Sequence, residues 1–244
     1  MNFRFWTYDD DYTGPEARAE AEAREIIPGL WYFGTYHFAA YLMETKAGPV
    51  VIDTCHAKTS DFFFAQFARA GIDAASVAAV LHTHAHLDHV GNTARLVSIS
   101  GGAVWIGAED APVLAREVGV DGELRDGQEV DFGGTRISFC HTPGHTPGCG
   151  MLLTELAGRR LCFMGDASGP FIFQQVRWEG DVAAFLASAE KMKGIEADLY
   201  LPGHPHQILQ VSPEGDPRLS QEQWHRYIDE RVAMMQEYTS GAGQ

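Results

Sequence analysis

Residues 82–89 read HTHAHLDH, four histidines and one aspartate within eight positions. The run follows VAAVL, a stretch whose apolar character reads as a buried strand, so the histidines fall where a strand ends and the chain turns. Two registers compete. Counted from His82, the third alternate position is His86 rather than a carboxylate. Counted from His84, the pattern is H-x-H-x-D-H and takes in His84, His86, Asp88 and His89. The second has more chemical sense. In extended chain, residues two apart point to the same side, so His84 and His86 can grip one ion while Asp88 and His89, past the turn, face another. Imidazole with carboxylate suits Zn²⁺, and also Fe or Mn, better than soft Cu(I). His82 stays inside the apolar run, as a packed and hydrogen-bonded residue beneath the site or as one that orients a ligand.

One such cluster cannot saturate two metals, so further ligands are expected at other strand ends. HTPGHTPG places His145 in a Pro/Gly-stiffened loop after a strand. CFMGDAS puts Asp166 at the end of an apolar strand, where a buried carboxylate is costly without a cation. LYLPGHPH puts His204 at a third strand end.

The rest of the chain bounds the answer. It has 244 residues, 45% of them hydrophobic, enough for one sizeable globular domain. No apolar run approaches the roughly 18 residues of a membrane span, and the N-terminus lacks the basic start and plain apolar stretch of a secretory signal. The expected location is cytoplasmic. A net charge of −15 with no Lys/Arg cluster argues against nucleic acid and anionic lipid as partners; a small-molecule substrate is expected instead. Cys55, Cys140, Cys149 and Cys162 have no CxxC spacing and read as buried or semi-buried free thiols; Cys149, four positions after His145, is the one to watch. Residues 1–25 read as an N-terminal extension. Its apolar start (Phe3, Phe5, Trp6, Tyr8) must dock on the core, on a partner or over a pocket, and is compatible with a homodimer. Residues 26–244 read as a single domain.

Strands are expected at LWYFGTY, AAYLMET, GPVVIDT, VAAVLHTH, AVWIG, TRISFCHT, GMLLTEL, RLCFMGD and DLYLPG. The expected helices are TSDFFFAQFARAG with Phe63, Phe64 and Phe67 inward, GNTARLVSISGG, EDAPVLAREVG, and DVAAFLASAEKMKG. A last helix starts at Ser220, with Ser220 and Gln223 as a capping box and Trp224, Tyr227, Ile228, Val232 and Met235 buried. Each half supplies strands and then helices, which implies two sheets packed together between helical layers.

The motifs THAHLDHVGN, TPGHTPG, FMGD and LPGH, in that order between about Gly29 and His204, resemble those of the metallo-β-lactamase-fold hydrolases. That resemblance implies a four-layer αββα sandwich of two mixed sheets. It also implies two Zn²⁺ per chain, one held by His84, His86 and His145 and the other by Asp88, His89 and His204, with Asp166 bridging. The implied reaction is hydrolysis of a small carboxylic-acid derivative (a lactone, ester, thioester or amide) by a metal-bound hydroxide that Asp88 orients. Asp88 would later carry a proton to the leaving group.

Substrate is less legible. GLWYFGTYHFAAYLMETKAGPVVIDT and DASGP resemble β-lactamases of the subclass with His and Asp at its zincs, but those carry Ser where this chain has Asp166. Acyl-homoserine lactonases resemble the chain at GDAS but carry a Tyr shortly after, where Gly169, Pro170 and Phe171 stand here. Glyoxalase II-type thioesterases have a longer C-terminal region with cationic contacts. A class B β-lactamase, a mononuclear-iron persulfide-type dioxygenase and a non-catalytic metal-binding member are the rival readings. Tyr36, His37 and Phe38 fall on the family's active-site hairpin, and Phe171 follows the bridging aspartate. With His206, they are the candidate substrate contacts. His56 follows Cys55, where the family usually has Gly.

Overall fold

The structure is a computed structural model that describes residues 23–35, 37–166, 180–205 and 218–240. The first half of the chain forms a seven-stranded sheet in the order β1 to β7: β1 (Arg24–Ile27), β2 (Leu30–Tyr32), β3 (Tyr41–Met43), β4 (Val50–Ile52), β5 (Ala79–Leu81), β6 (Ala103–Gly107) and β7 (Gly122–Leu124). Its first four strands are antiparallel and the rest parallel. The second half forms a five-stranded sheet ordered β12-β11-β10-β9-β8: β8 (Glu129–Phe132), β9 (Thr135–His141), β10 (Gly150–Leu156), β11 (Arg159–Gly165) and β12 (Leu199–Pro202). Only β11 and β12 pair in parallel there. Both sheets are therefore mixed.

Strand alternation builds the layers. Tyr41 and Met43, Val50 and Ile52, and Ala79 and Leu81 point into a core shared with Leu161, Phe163 and Leu201 of the other sheet. The intervening Leu42, Val51 and Val80 face outward and pack on Phe63 and Phe67 of α1 (Ser60–Ala70). In the second sheet the outward Met151, Cys162, Met164 and Tyr200 meet α5 (Val182–Lys193) and α6 (Gln221–Thr239) through Phe185, Met192, Trp224 and Ile228. A strand buried on both faces reads as a continuous apolar run, which is why VVI, AVL and LCFM look as they do. The result is the expected αββα sandwich. Three shorter α-helices, α2 (Leu87–Val90), α3 (Thr93–Ser100) and α4 (Ala111–Leu114), and two single 3-10 turns, Ala57–Thr59 and Ala74–Ser76, complete the helices of the described residues.

Several expectations change. Strands β1, β7 and β8 have no counterpart in the periodicity. They are sheet-edge strands of three or four residues carrying Arg24, Glu25, Glu123, Glu129 and Asp131, and an edge needs apolar residues on little of its length. Strand β1 begins within the last residues of the compositional extension. The helix expected over EDAPVLAREVG is the single turn α4, followed by turns up to Val118, because the chain must double back to lay β7 beside β6. Phe64 is only half-buried, its ring covered by Arg95, whose guanidinium carbon lies 4.2 Å from the centroid. Val232 is likewise half-buried against the core. The capping box forms, with Gln223 N–H donating to Ser220 Oγ and Ser220 N–H to Gln223 Oε1. The aromatic start at Phe3, Phe5, Trp6 and Tyr8 lies outside the described residues. No described helix is long and apolar enough to cross a membrane.

Candidate metal centre

The site forms where strands from both sheets end. After β4 come Asp53, Thr54 and Cys55; after β5 come residues 82–86 and then the turn α2; after β9 comes the loop bearing His145. Asp166 follows β11 and His204 follows β12. Side chains at the carboxyl ends of strands share one rim of an α/β sheet, the usual place for ligand chemistry in such folds. The structure brings all seven candidates from the motifs to this rim.

Three side-chain groups each present donor atoms within 4.8 Å of one another: His84, His86 and His145; His84, His89 and Asp166; and Asp88, His89 and His204. In the first group the rings form a near-regular triangle, with centroid distances of 4.7, 4.6 and 4.6 Å. His86 Nδ1 and His145 Nε2 lie 2.9 Å apart. Asp166 reaches both sides: its Oδ2 is 3.0 Å from His204 Nε2 and 3.4 Å from His145 Nε2, and its Oδ1 is 3.4 Å from His89 Nε2. Asp88, on the helical turn, lies 3.6 Å from His204 Nε2 through Oδ2.

The electrostatics divide the site. Burial holds His84 well below the ordinary imidazole value and takes His145 to about 3, in the latter against the pull of Asp166. Burial also lowers His86, against Asp88 and Asp166. In all three, burial disfavours the protonated form, which suits a lone-pair donor to a cation. On the other side burial works against protonation of His89 and His204, but nearby carboxylates outweigh it. Asp166 and Asp53 raise His89 to about 10, and Asp166 and Asp88 raise His204. Asp166 itself is well below the carboxylate range, because His204, His145 and His89 overcome its burial.

This donor set fits divalent cations. His84 Nε2 and Asp166 Oδ1 are buried without a hydrogen-bond partner, and orphaned polar atoms of that kind are expensive unless an ion takes them. On the side of His89 and His204 the carboxylates favour a proton, and a cation would compete for the same positions.

Supporting residues that sequence reasoning missed lie beneath. Asp53, 3% exposed, binds His89 Nδ1 at 2.9 Å and His82 Nδ1 at 3.3 Å, and accepts from Thr83 N–H at 3.0 Å and the Thr83 hydroxyl at 2.8 Å. It turns His89 so that Nε2 faces the site, as carboxylates behind ligand histidines do. His82 is fully buried and pairs with Asp53 and, at 2.9 Å, with Thr93 Oγ1, so it is packed beneath the site and touches the residue that orients His89. Asp53 ends the apolar run VVI, the same signal that marks Asp166. Asp110 is a second buried carboxylate, without any such signal.

Two of the hairpin candidates, His37 and Phe38, touch a candidate ligand. The His37 carbonyl accepts from His204 Nδ1 at 2.6 Å. Phe38 is buried, its ring edge-on to His204 at 5.7 Å and stacked on His56 at 6.0 Å. These contacts hold a histidine in place. Tyr36, Phe171 and His206 lie outside the described residues. Cys55 has φ 58° and its thiol donates to Phe38 O at 3.4 Å. All four cysteines are free and buried, and burial, the largest cause, pushes the Cys149 thiol well up.

Gly203 is required by crowding. A Cβ there would lie 2.7 Å from Asp166 Oδ1 and 2.8 Å from His89 Cε1. Gly203→Ala should therefore weaken metal affinity in a chelator titration while the far-UV circular dichroism stays unchanged. An unaltered affinity would show that the loop absorbs the methyl.

An αββα sandwich with a histidine–carboxylate cluster on one strand-end rim defines a class of metal-site proteins. A family model described as the metallo-beta-lactamase superfamily matches residues 39–204, and the chain belongs to that superfamily. It is 31% identical over 159 residues to a hydroxyacylglutathione hydrolase of Acidiphilium cryptum, a match covering 63% of each chain, under two thirds of that relative's length. Among solved structures it resembles BJP-1, a subclass B3 metallo-beta-lactamase of Bradyrhizobium japonicum. That match has 24% identity and a TM-score of 0.81, covering 93% of this chain and 97% of that one. A class B3 di-zinc metallo-beta-lactamase from an Alaskan soil metagenome matches at 23% identity and a TM-score of 0.76, covering 93% and 97%. These structural likenesses concern the fold.

Proposed function

We propose that the chain is a dinuclear, zinc-loaded hydrolase of a small acyl compound, with thioesters and lactones ahead of β-lactam amides. The observation that carries the reading is Asp166, a buried carboxylate within 3.4 Å of His145, His89 and His204 at once. His84, His86 and His145 would hold one ion, Asp88, His89 and His204 the other, and Asp166 would span them. When bound, such a pair supplies Lewis-acid polarisation of a carbonyl and activates water near neutral pH. Asp88 is the proton carrier of the reading. Its Oδ2 is turned to His204, and its carboxylate takes the proton of the attacking water and delivers it to the leaving group. His37, through its carbonyl, and Asp53 hold His204 and His89 in orientation. The 31% identity to a hydroxyacylglutathione hydrolase supports a thioester. The net charge of −15 supports a small molecule over nucleic acid as partner. Four unpaired, buried cysteines support a reducing, cytoplasmic setting.

The test is a screen of the purified protein across a glutathione thioester, a lactone, an aryl ester and a β-lactam, with metals counted in the same sample. Two zinc ions per chain and turnover of thioester or lactone, with β-lactam turnover near background, is the expected result. One iron per chain with oxygen consumption on a persulfide would replace the reading with a dioxygenase. Bound metal without hydrolysis of any acyl substrate would leave a binding protein.

A further inference from the structure

Asp110 directly precedes α4, where an aspartate ordinarily caps the helix with its side chain. It does not do so: its carboxylate makes no hydrogen bond to the helix it precedes. The side chain, 2% exposed, reaches instead to two other segments. Oδ2 accepts from the Ala85 N–H at 2.9 Å and from the Thr146 hydroxyl at 2.7 Å, and Oδ1 accepts from the Gly148 N–H at 2.7 Å. Ala85 is the residue between His84 and His86. Thr146 follows His145, and Gly148 closes the same loop. One buried carboxylate thus joins the two stretches of chain, one from each sheet, that carry His84, His86 and His145.

The approach is close. A Cβ on Gly148 would lie 2.7 Å from Asp110 Cγ and 2.4 Å from Asp110 N, so the His145 loop is drawn onto Asp110 as far as a glycine allows. Three donors converge on the one carboxyl group, and none of them comes from a candidate ligand. Asp53 does the corresponding work on the other half of the site, through His89 and Thr83. Asp53 also reaches the first group indirectly, since the Thr83 hydroxyl that it accepts from lies 3.2 Å from His84 Nδ1.

We propose that Asp110 is a positioning residue. It sets the separation of His84 and His86 from His145, and so the affinity of that group for its ion, without acting on Asp88, His89 and His204. This rests on the metal reading above. Asp110→Asn keeps the shape but offers one acceptor in place of two and turns an amide N–H₂ toward a backbone N–H or the Thr146 hydroxyl.

The experiment titrates the metal-free wild-type protein, Asp110→Asn and Thr146→Val with Co²⁺, following visible absorption and the paramagnetically shifted imidazole N–H resonances that count the histidines on each ion. The expected result is wild type binding two ions and Asp110→Asn weakened by about 10- to 100-fold at the three-histidine ion alone. Thr146→Val, which removes one of the three bonds, should lie between them. Wild-type affinity in Asp110→Asn overturns the proposal, and so does an equal loss at both ions, which would mark a merely structural residue. Should Asp110→Asn not fold, Thr146→Val decides, and unchanged affinity at the three-histidine ion overturns the proposal. A wild-type chain that takes up no Co²⁺ would instead overturn the metal reading and this inference with it.

Discussion

Asp166→Ser is expected to leave the chain folded, to lower its metal content from two ions to about one, and to cut kcat on the order of 100-fold or more. Among the described residues, Asp166 is the one side chain whose two oxygens face both halves of the site, Oδ2 toward His204 and His145 and Oδ1 toward His89. Serine would offer a single neutral oxygen on a shorter stem, which can meet one of these groups. The lost charge matters as much as the lost reach. Burial alone would push the Asp166 carboxyl up; the surrounding histidines hold it well below the carboxylate range, and it in turn raises His89 and His204. The backbone aims it tightly. Gly165 has φ 49°, and a Cβ there would sit 2.5 Å from Thr83 Oγ1, so only glycine fits directly before Asp166. Metal analysis with kcat and KM on the preferred acyl substrate reads the outcome. Unchanged metal content and kcat would sink the bridging assignment.

The centre was legible in the sequence to the extent that its chemistry is local. The H-x-H-x-D-H spacing separates His84, His86, Asp88 and His89 from His82 because extended chain alternates and the following turn does not. His145, Asp166 and His204 are visible because each follows an apolar strand and stands next to Gly. Asp53 carries the same signal at the end of VVI and could have been found by it. Asp110 could not: an acid before a helix looks like a cap, and only the tertiary fold shows its carboxylate turned to Ala85, Thr146 and Gly148. The buried strands were readable since both of their faces are covered, whereas β1, β7 and β8 are short, charged edges whose pairing depends on neighbours distant in sequence. Phe38 and His37 show a related limit. The hairpin's proximity to the site was legible, but not that its His37 carbonyl and Phe38 ring contact His204.

Asp53→Ala should lower the stability of the metal-free protein by about 3–5 kcal/mol, the usual cost of stranding the partners of a buried charge, seen as a fall in Tm of roughly 6–20 °C for a chain of this size. Four bonds end on this carboxylate, from His89, His82 and twice from Thr83, and solvent reaches none of these side chains to replace them. Asp53→Asn separates the two roles. It keeps the volume and one acceptor but loses the charge, so it should spare more of the stability while weakening metal affinity by about 10- to 100-fold, because His89 then lacks the carboxylate that keeps its proton on Nδ1. The acid limb gives an independent reading. Burial raises the Asp53 carboxyl, yet His89 and His82 outweigh it and hold it at about 2, below the ordinary 3.8. A carboxyl depressed on folding stabilises fully above its unfolded value, and that contribution is lost as pH falls through the folded one. The wild-type metal-free protein should therefore lose stability between about pH 4 and pH 2 more steeply than Asp53→Asn, in urea denaturation at stepped pH. Parallel acid limbs for the two proteins would show that Asp53 does not carry the charge assigned to it.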